Sequence, residues 1–475
     1  MIFSTYEFVL VFLPITFIGY FILNHFRLFD TAKIWLIIAS LAFYGLGSPD
    51  FFPYFLTSVV GNYIFGMTMG KLGENAKLEK KVLFTVGILA NVGLLGYYKY
   101  TDFFIENINA VAKTDFALQH IILPIGISFF TFQLIAFLVD SYRGQTQEYD
   151  IINYLLFITF FPQLIVGPIV HHKEVVPQFA DRKNLIINYE NVAKGLFIFA
   201  IGCGKKMLLA DPLTTDAQMF YADMHQGLPF WEAWFCSIEY TVSYYFDLSG
   251  YADMAIGLGW MFNIKIPQNF NSPFKAKDFQ DYWRRWHMTL SRFLGDYIFR
   301  NVYKKNNKWR NYYIATMVTF FVSGFWHGSG WTFIVWGIVN GVLVCWGAYR
   351  NRNNKKTPYI LGVALTFVGV VLTRVLFVSV NFKEAFYVFK AMFPIKEGYR
   401  AAGSLMTQLQ TLWTERADMI ILCAVALGIC WFLPNTPAIT EKFKVKPITL
   451  IYAAILIGIC ILKMDQVVQF LYFQF

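Results

Sequence analysis

Charge is scarce in this chain. Asp, Glu, Lys and Arg together make up 15% of it, against about 25% in a typical soluble domain. Hydrophobic residues fill 57%, and no polar stretch is long enough to fold alone. A string of soluble domains is thereby excluded, and a polytopic membrane protein is expected. Cysteine is sparse too. Cys203, Cys236, Cys345, Cys423, Cys430 and Cys460 sit in apolar segments and form no C-x-x-C pair. That pattern gives no disulfide framework and no zinc site, and leaves them as small packing residues. The opening Met1-Ile-Phe-Ser-Thr-Tyr-Glu7 lacks a basic run, so the first apolar segment is expected to remain as a span, not to be cleaved. No metal site is expected: His171 and His172 have only Glu174 at ligand spacing.

What is present is a series of apolar segments near 6–24, 33–47, 51–69, 82–98, 121–139, 154–170, 191–210, 229–246, 313–329, 331–348, 359–380, 418–434 and 448–463. A span needs roughly 17–25 residues, so about eleven to thirteen spans are expected. Lys and Arg mark the cytoplasmic loops. Arg27 and Lys33 follow the first span. Lys71, Lys77, Lys80 and Lys81 mark another such loop, as do Arg350, Arg352, Lys355 and Lys356, then Lys442, Lys444 and Lys446. Both termini therefore read as outside. Phe279 to Val302 has the pattern of one amphipathic helix, with Trp283, Trp286, Leu290, Phe293, Leu294 and Ile298 at helical spacing. Such a helix lies in the interface or re-enters the protein. Residues 381–394 have the same character. The chain shows no internal repeat of the kind that marks secondary transporters.

Ionisable groups inside apolar sequence are candidate functional sites. His327 stands in Ser323-Gly-Phe-Trp-His-Gly-Ser-Gly-Trp331, and His287 in Tyr282-Trp-Arg-Arg-Trp-His287, forty positions upstream. Histidine moves protons near neutral pH. Between Asn263 and Arg310 stand eleven Lys or Arg. Positive-inside topology accounts for part of that excess. Arg284 and Arg285 beside His287 also suit an anionic cytosolic donor, because guanidinium forks match phosphate oxygens. Trp283, Trp286 and Trp326 complete the expected donor-binding set. Asp247 and Asp253 are six positions apart, about 600° of helical rotation, so they share no face. They are expected to be structural polar groups rather than a catalytic dyad.

Several motifs, in order along the chain, resemble the membrane-bound O-acyltransferase family. Tyr245-Phe-Asp-Leu-Ser-Gly-Tyr-Ala-Asp-Met-Ala-Ile-Gly-Leu-Gly259 is followed by Pro267-Gln-Asn-Phe-Asn-Ser-Pro273, Tyr282-Trp-Arg-Arg-Trp-His-Met-Thr-Leu-Ser291 and Ser323-Gly-Phe-Trp-His-Gly328. Leu123-Pro-Ile-Gly-Ile-Ser-Phe-Phe-Thr-Phe-Gln133, Val139-Asp-Ser-Tyr-Arg-Gly144 and Phe160-Phe-Pro-Gln-Leu-Ile-Val-Gly-Pro-Ile-Val170 are similar to the alginate and peptidoglycan O-acetyltransferase branch. The resemblance implies an all-α ring of tilted transmembrane helices, with re-entrant or interfacial helices, around a central tunnel. It divides the chain into N-terminal helices 1–120, an acyltransferase core 121–350, C-terminal helices 351–463 and an aromatic tail 464–475.

The resemblance also implies roles. His327 matches the catalytic histidine and His287 the second histidine of the tunnel. The donor is a cytosolic acyl thioester such as acetyl-CoA, with no resident cofactor. A separate periplasmic or extracellular acyltransferase of the SGNH type collects the group. Related systems end in an aromatic tail with a tyrosine, which makes Tyr472 in Phe470-Leu-Tyr-Phe-Gln-Phe475 a candidate acyl relay. Three readings stand at this point. The first is acetyl transfer across the cytoplasmic membrane to a cell-surface polysaccharide. The second is D-alanyl transfer to teichoic acid from a carrier protein, and the third is a proton-coupled transporter.

Overall fold

The computed structural model describes residues 2–72, 75–146, 150–355, 357–393, 403–466 and 470–471. Among these the regular structure is helical, with no strand. Five helices are long and apolar enough to cross a membrane: Glu7–His25, Phe29–Gly47, Lys77–Ala112, Trp331–Arg352 and Tyr359–Val378. Ile127–Tyr142 and Pro447–Ile461 are apolar but shorter. Large apolar side chains such as Leu89, Val92, Ile360, Leu365, Ile451 and Ile455 are exposed. In water such a surface would aggregate, whereas in a bilayer it meets lipid. The chain is an all-α polytopic membrane protein.

Polar side chains set many of the helix starts. Asp150, Asp278, Asn307, Asn381, Ser404 and Asn435 each accept a hydrogen bond from a first-turn backbone amide. These caps satisfy donors that a helix start leaves open.

Four segments differ from their sequence reading. The 121–139 run becomes helical only at Ile127, because Pro124 and a left-handed Gly126 precede it. Apolar 154–170 breaks at Phe160, where the backbone leaves helical angles before Pro162. The 229–246 run continues well past its expected end as one helix, Phe230–Met261, about 48 Å long at 1.5 Å per residue. The stretch 279–302 is not one helix. It splits into Phe279–Arg285 and Met288–Leu294 around His287, whose φ is 46°.

The chain forms two compact units. The first comprises Met1–Ile201, Tyr251–Pro267 and Lys444–Val467. Its centre is aromatic: Phe3, Phe8, Phe43, Phe161 and Phe262 pack ring on ring. Polar groups buried here meet each other. Asn62 and Asn91 exchange amide hydrogen bonds of 3.1 and 2.7 Å, and His172 Nε2 lies 3.0 Å from Asp140 Oδ2.

The second unit comprises Gly202–Gly250, Gln268–Phe443 and Val468–Phe475. Its main feature is a hairpin of the Lys308–His327 and Trp331–Arg352 helices. The two backbones touch at Gly324 and Gly337. A Cβ on Gly324 would come within 2.5 Å of the Phe333 carbonyl oxygen and 3.0 Å of Gly337 Cα. Arg416 joins three helices of this unit through Asp216 at 2.8 Å and Glu232 at 3.1 Å.

Candidate active site

His327 is the last residue of its helix. Gly328 and Gly330 follow in extended conformation and end the helical ladder. The imidazole is buried among rings, with centroids 4.8 Å from Trp326, 5.1 Å from Trp336 and 5.4 Å from Phe377. Apolar walls on this scale exclude water and strengthen any electrostatic interaction inside them.

His287 owes its position to Asn269. The Asn269 carbonyl accepts from the Met288 amide at 2.8 Å. Its side-chain Oδ1 accepts from the Thr289 amide at 3.2 Å and the Thr289 hydroxyl at 2.8 Å, and meets His287 Nδ1 at 3.2 Å. These bonds hold the chain in the left-handed turn that breaks the helix. They also fix the tautomer. An atom that accepts from a backbone N–H is an oxygen, so the proton of that contact sits on His287 Nδ1, and Nε2 is the ring's acceptor. Burial lowers the pKa of this imidazole below its ordinary value and keeps it neutral.

Both histidines line one cavity of about 220 Å³, walled also by Trp283, Arg284, Trp286 and Ser323. Of the sequence-predicted residues, these five are therefore brought together: His287, His327, Trp283, Trp286 and Arg284. Trp326 packs on His327 but does not line the cavity. Arg285 turns to Asp281, with Nε 2.9 Å from Oδ1. Among the described residues no group of three or more His, Cys, Asp or Glu could hold a metal.

Asp247 lies elsewhere in the same unit. It pairs with Lys206 at 2.7 Å, and Lys206 pairs with Asp211 at 2.6 Å. The backbone N–H of Leu471 donates to Asp247 Oδ2 at 3.0 Å. Phe470 and Leu471 are each only 1% exposed, so this part of the tail is buried inside unit two. Tyr472 falls outside the described residues. Asp253 belongs to the first unit and is buried there.

Three contributors carried no role in the sequence reading. Asn269 stands inside a quoted motif, but nothing in its spacing links it to His287 eighteen positions on. Phe377 is one apolar residue among many. Arg374 did carry a signal, as the single charged residue of the Tyr359–Val378 span.

Comparison with known proteins adds four findings. The family model for membrane-bound O-acyltransferases matches residues 77–380. The chain is 42% identical over 424 residues to a peptidoglycan O-acetyltransferase of Helicobacter pylori, covering 82% of this chain and 80% of that protein. It is 34% identical over 402 residues to a probable alginate O-acetylase of Pseudomonas aeruginosa, covering 83% and 75%. A teichoic acid D-alanyltransferase of Streptococcus thermophilus is 28% identical over 305 residues, covering 56% of this chain and 71% of that protein.

Proposed function

Because the chain belongs to the membrane-bound O-acyltransferase family, we propose that it takes an acetyl group from cytosolic acetyl-CoA at the His287–His327 cavity. The protein is an O-acyltransferase of the membrane, acting in O-acetylation of a cell-surface polysaccharide. Family membership replaces the transporter reading. D-alanyl transfer has weaker support, since that relative is less similar and matches a shorter part of the chain.

The observation that carries the proposal is the shared cavity: two histidines forty positions apart line one buried, aromatic-walled space. On this reading a hydroxyl oxygen attacks the thioester carbonyl carbon, and His327 takes the hydroxyl proton. The new C–O bond puts negative charge on the carbonyl oxygen. When that charge collapses, the C–S bond breaks and the imidazolium returns its proton to the thiolate. A positioned base supplies roughly 10²–10⁴-fold in such a step. His287, neutral with Nε2 as acceptor, orients the attacking hydroxyl. Arg284, with Trp283 and Trp286, receives the donor.

The proposal extends to the tail. Tyr472 is the first hydroxyl to be acylated, and a phenol, with pKa near 10, leaves more readily than an alkoxide in the next transfer. The support is its neighbour: Leu471 is held by Asp247, and Asp247 lies one helical turn from Tyr244, whose ring stacks on Trp286 of the cavity wall. An SGNH-type acyltransferase outside the cytoplasmic membrane then collects the group, with both termini of this chain on that side. The deciding experiment is mass spectrometry of surface glycans from cells carrying His327→Ala. Loss of O-acetyl groups at normal protein level is expected. Wild-type acetylation would remove His327 from the mechanism.

A further inference from the structure

Arg374 is a buried charge that the mechanism above does not use. It is 4% exposed in a span with no other charged residue. Its guanidinium carbon lies 4.3 Å from the Tyr244 ring centroid, 4.8 Å from Phe377 and 5.4 Å from Trp286. Among the described residues no carboxylate pairs with it, and its Nε–H has no hydrogen-bond partner. The hydroxyl oxygens of Tyr244 and Tyr282 face the guanidinium and accept from it, but both are neutral groups. Tyr244 and Tyr282 both lie nearly parallel to the Trp286 ring, at 11° and 17°. The guanidinium beside Trp286 is therefore met by rings and neutral hydroxyls and, among the described residues, by no counter-charge.

A guanidinium cannot escape burial by losing its proton. Ring faces attract it, but more weakly than a carboxylate would compensate a buried charge. The wall thus carries surplus positive potential. That potential falls beside both histidines, since Phe377 packs on His327 and Trp286 precedes His287. Neither an acetyl thioester carbonyl nor a hydroxyl carries the complementary charge before reaction. It appears only when the C–O bond forms and the carbonyl electron pair moves onto oxygen.

We propose that Arg374 stabilises this oxyanion. It acts through the Trp286 and Phe377 rings, as a positioning residue, and not by direct contact with the reacting atoms. The proton still goes to His327, and the charge is discharged when the C–S bond breaks. The inference rests on acyl transfer at the His287–His327 cavity. Its signature follows from timing. A charge that matters only in the transition state changes kcat and not the binding of donor.

The test uses membrane vesicles from the native cell, with acetyl-CoA as donor and thiol release as readout. Arg374→Gln should lower kcat by about 10–100-fold, short of the roughly 10²–10³ lost with a direct oxyanion donor. The apparent KM for acetyl-CoA should stay within about twofold of wild type. Arg374→Lys, which keeps the charge, should recover much of the rate, and added guanidinium ion should partly restore Arg374→Ala. A kcat within threefold of wild type in Arg374→Gln overturns the inference. So does a change confined to KM, or loss of folded protein in the Gln and Lys variants alike. His327→Ala, run beside them, separates the two ideas: if it still releases thiol at the wild-type rate, the cavity reading itself has failed.

Discussion

Asn269 is the point where one side chain controls both the backbone and the chemistry of His287, and replacing it by Leu removes all three side-chain contacts at once. Thr289 loses an acceptor for its amide and its hydroxyl, and His287 loses the acceptor for Nδ1–H. A buried donor left unsatisfied costs about 1–3 kcal/mol. Relaxation recovers part of this, so Asn269→Leu should destabilise the protein by about 3–5 kcal/mol. Asn269→Asp keeps an acceptor for every contact and should lose much less near neutral pH. The two variants separate further in acid. Burial pushes the His287 pKa down to about 3, below the roughly 6.5 of a free imidazole. A depressed histidine contributes stability above its unfolded pKa, and that stability is lost as pH falls below about 6.5, at about 1.4 kcal/mol per pH unit. The loss ends once pH passes the folded pKa. A carboxylate at 269 raises that folded pKa by about 1–3 units, so the acid loss in Asn269→Asp should end sooner than in wild type. Thermal unfolding of detergent-solubilised protein between pH 4 and 8 (a window of about four units around the free imidazole value) measures both effects. Wild-type stability in Asn269→Leu, or identical pH profiles for wild type and Asn269→Asp, would refute the account of the turn.

Arg284→Glu should raise the apparent KM for acetyl-CoA, because Arg284 lines the cavity, whereas Arg285→Glu should act mainly by breaking its partly exposed pair with Asp281, worth about 0–1 kcal/mol. Donor titration of the two single variants distinguishes these, and equal KM increases would count against the assignment. Gly324→Ala places a Cβ 2.5 Å from the Phe333 carbonyl oxygen. It should force the hairpin apart at a cost of about 1–3 kcal/mol and lower acetylation through His327 one turn away, visible in unfolding midpoint and turnover together. Tyr472→Phe keeps the apolar ring and should abolish polymer acetylation; glycan mass spectrometry showing the wild-type acetyl content would remove the relay.

The sequence pointed to the histidines for a physical reason: an ionisable ring in apolar sequence is rare, and each stands beside tryptophans. The all-helical membrane fold was legible on the same grounds, from the length and apolarity of its segments. The break at His287 was not legible. The heptad-like pattern of 279–302 continues through it, and the cause lies in Asn269, which is remote in sequence. The continuity of the Phe230–Met261 helix was not legible either. Gly250, Gly257 and Gly259 are each a close contact within that helix. A Cβ on Gly250, for example, would come within 2.8 Å of the Gly202 carbonyl oxygen. Glycine between membrane helices permits approach as readily as it breaks regularity. Arg374 could have been found by the argument already applied to the histidines. A single Arg in an otherwise apolar run leaves that run readable as a span.

The bond between Leu471 and Asp247 has a consequence for how the protein is made. The two residues are 224 positions apart in sequence. At about 5–20 residues per second, a ribosome needs roughly 10–45 s to travel from one to the other. Throughout that interval Lys206, Asp211 and Asp247 are already synthesised, while the amide that completes their cluster does not yet exist. This contact of the second unit therefore forms only after residue 471 has been made. A premature stop before codon 471 would leave that carboxylate without this backbone donor.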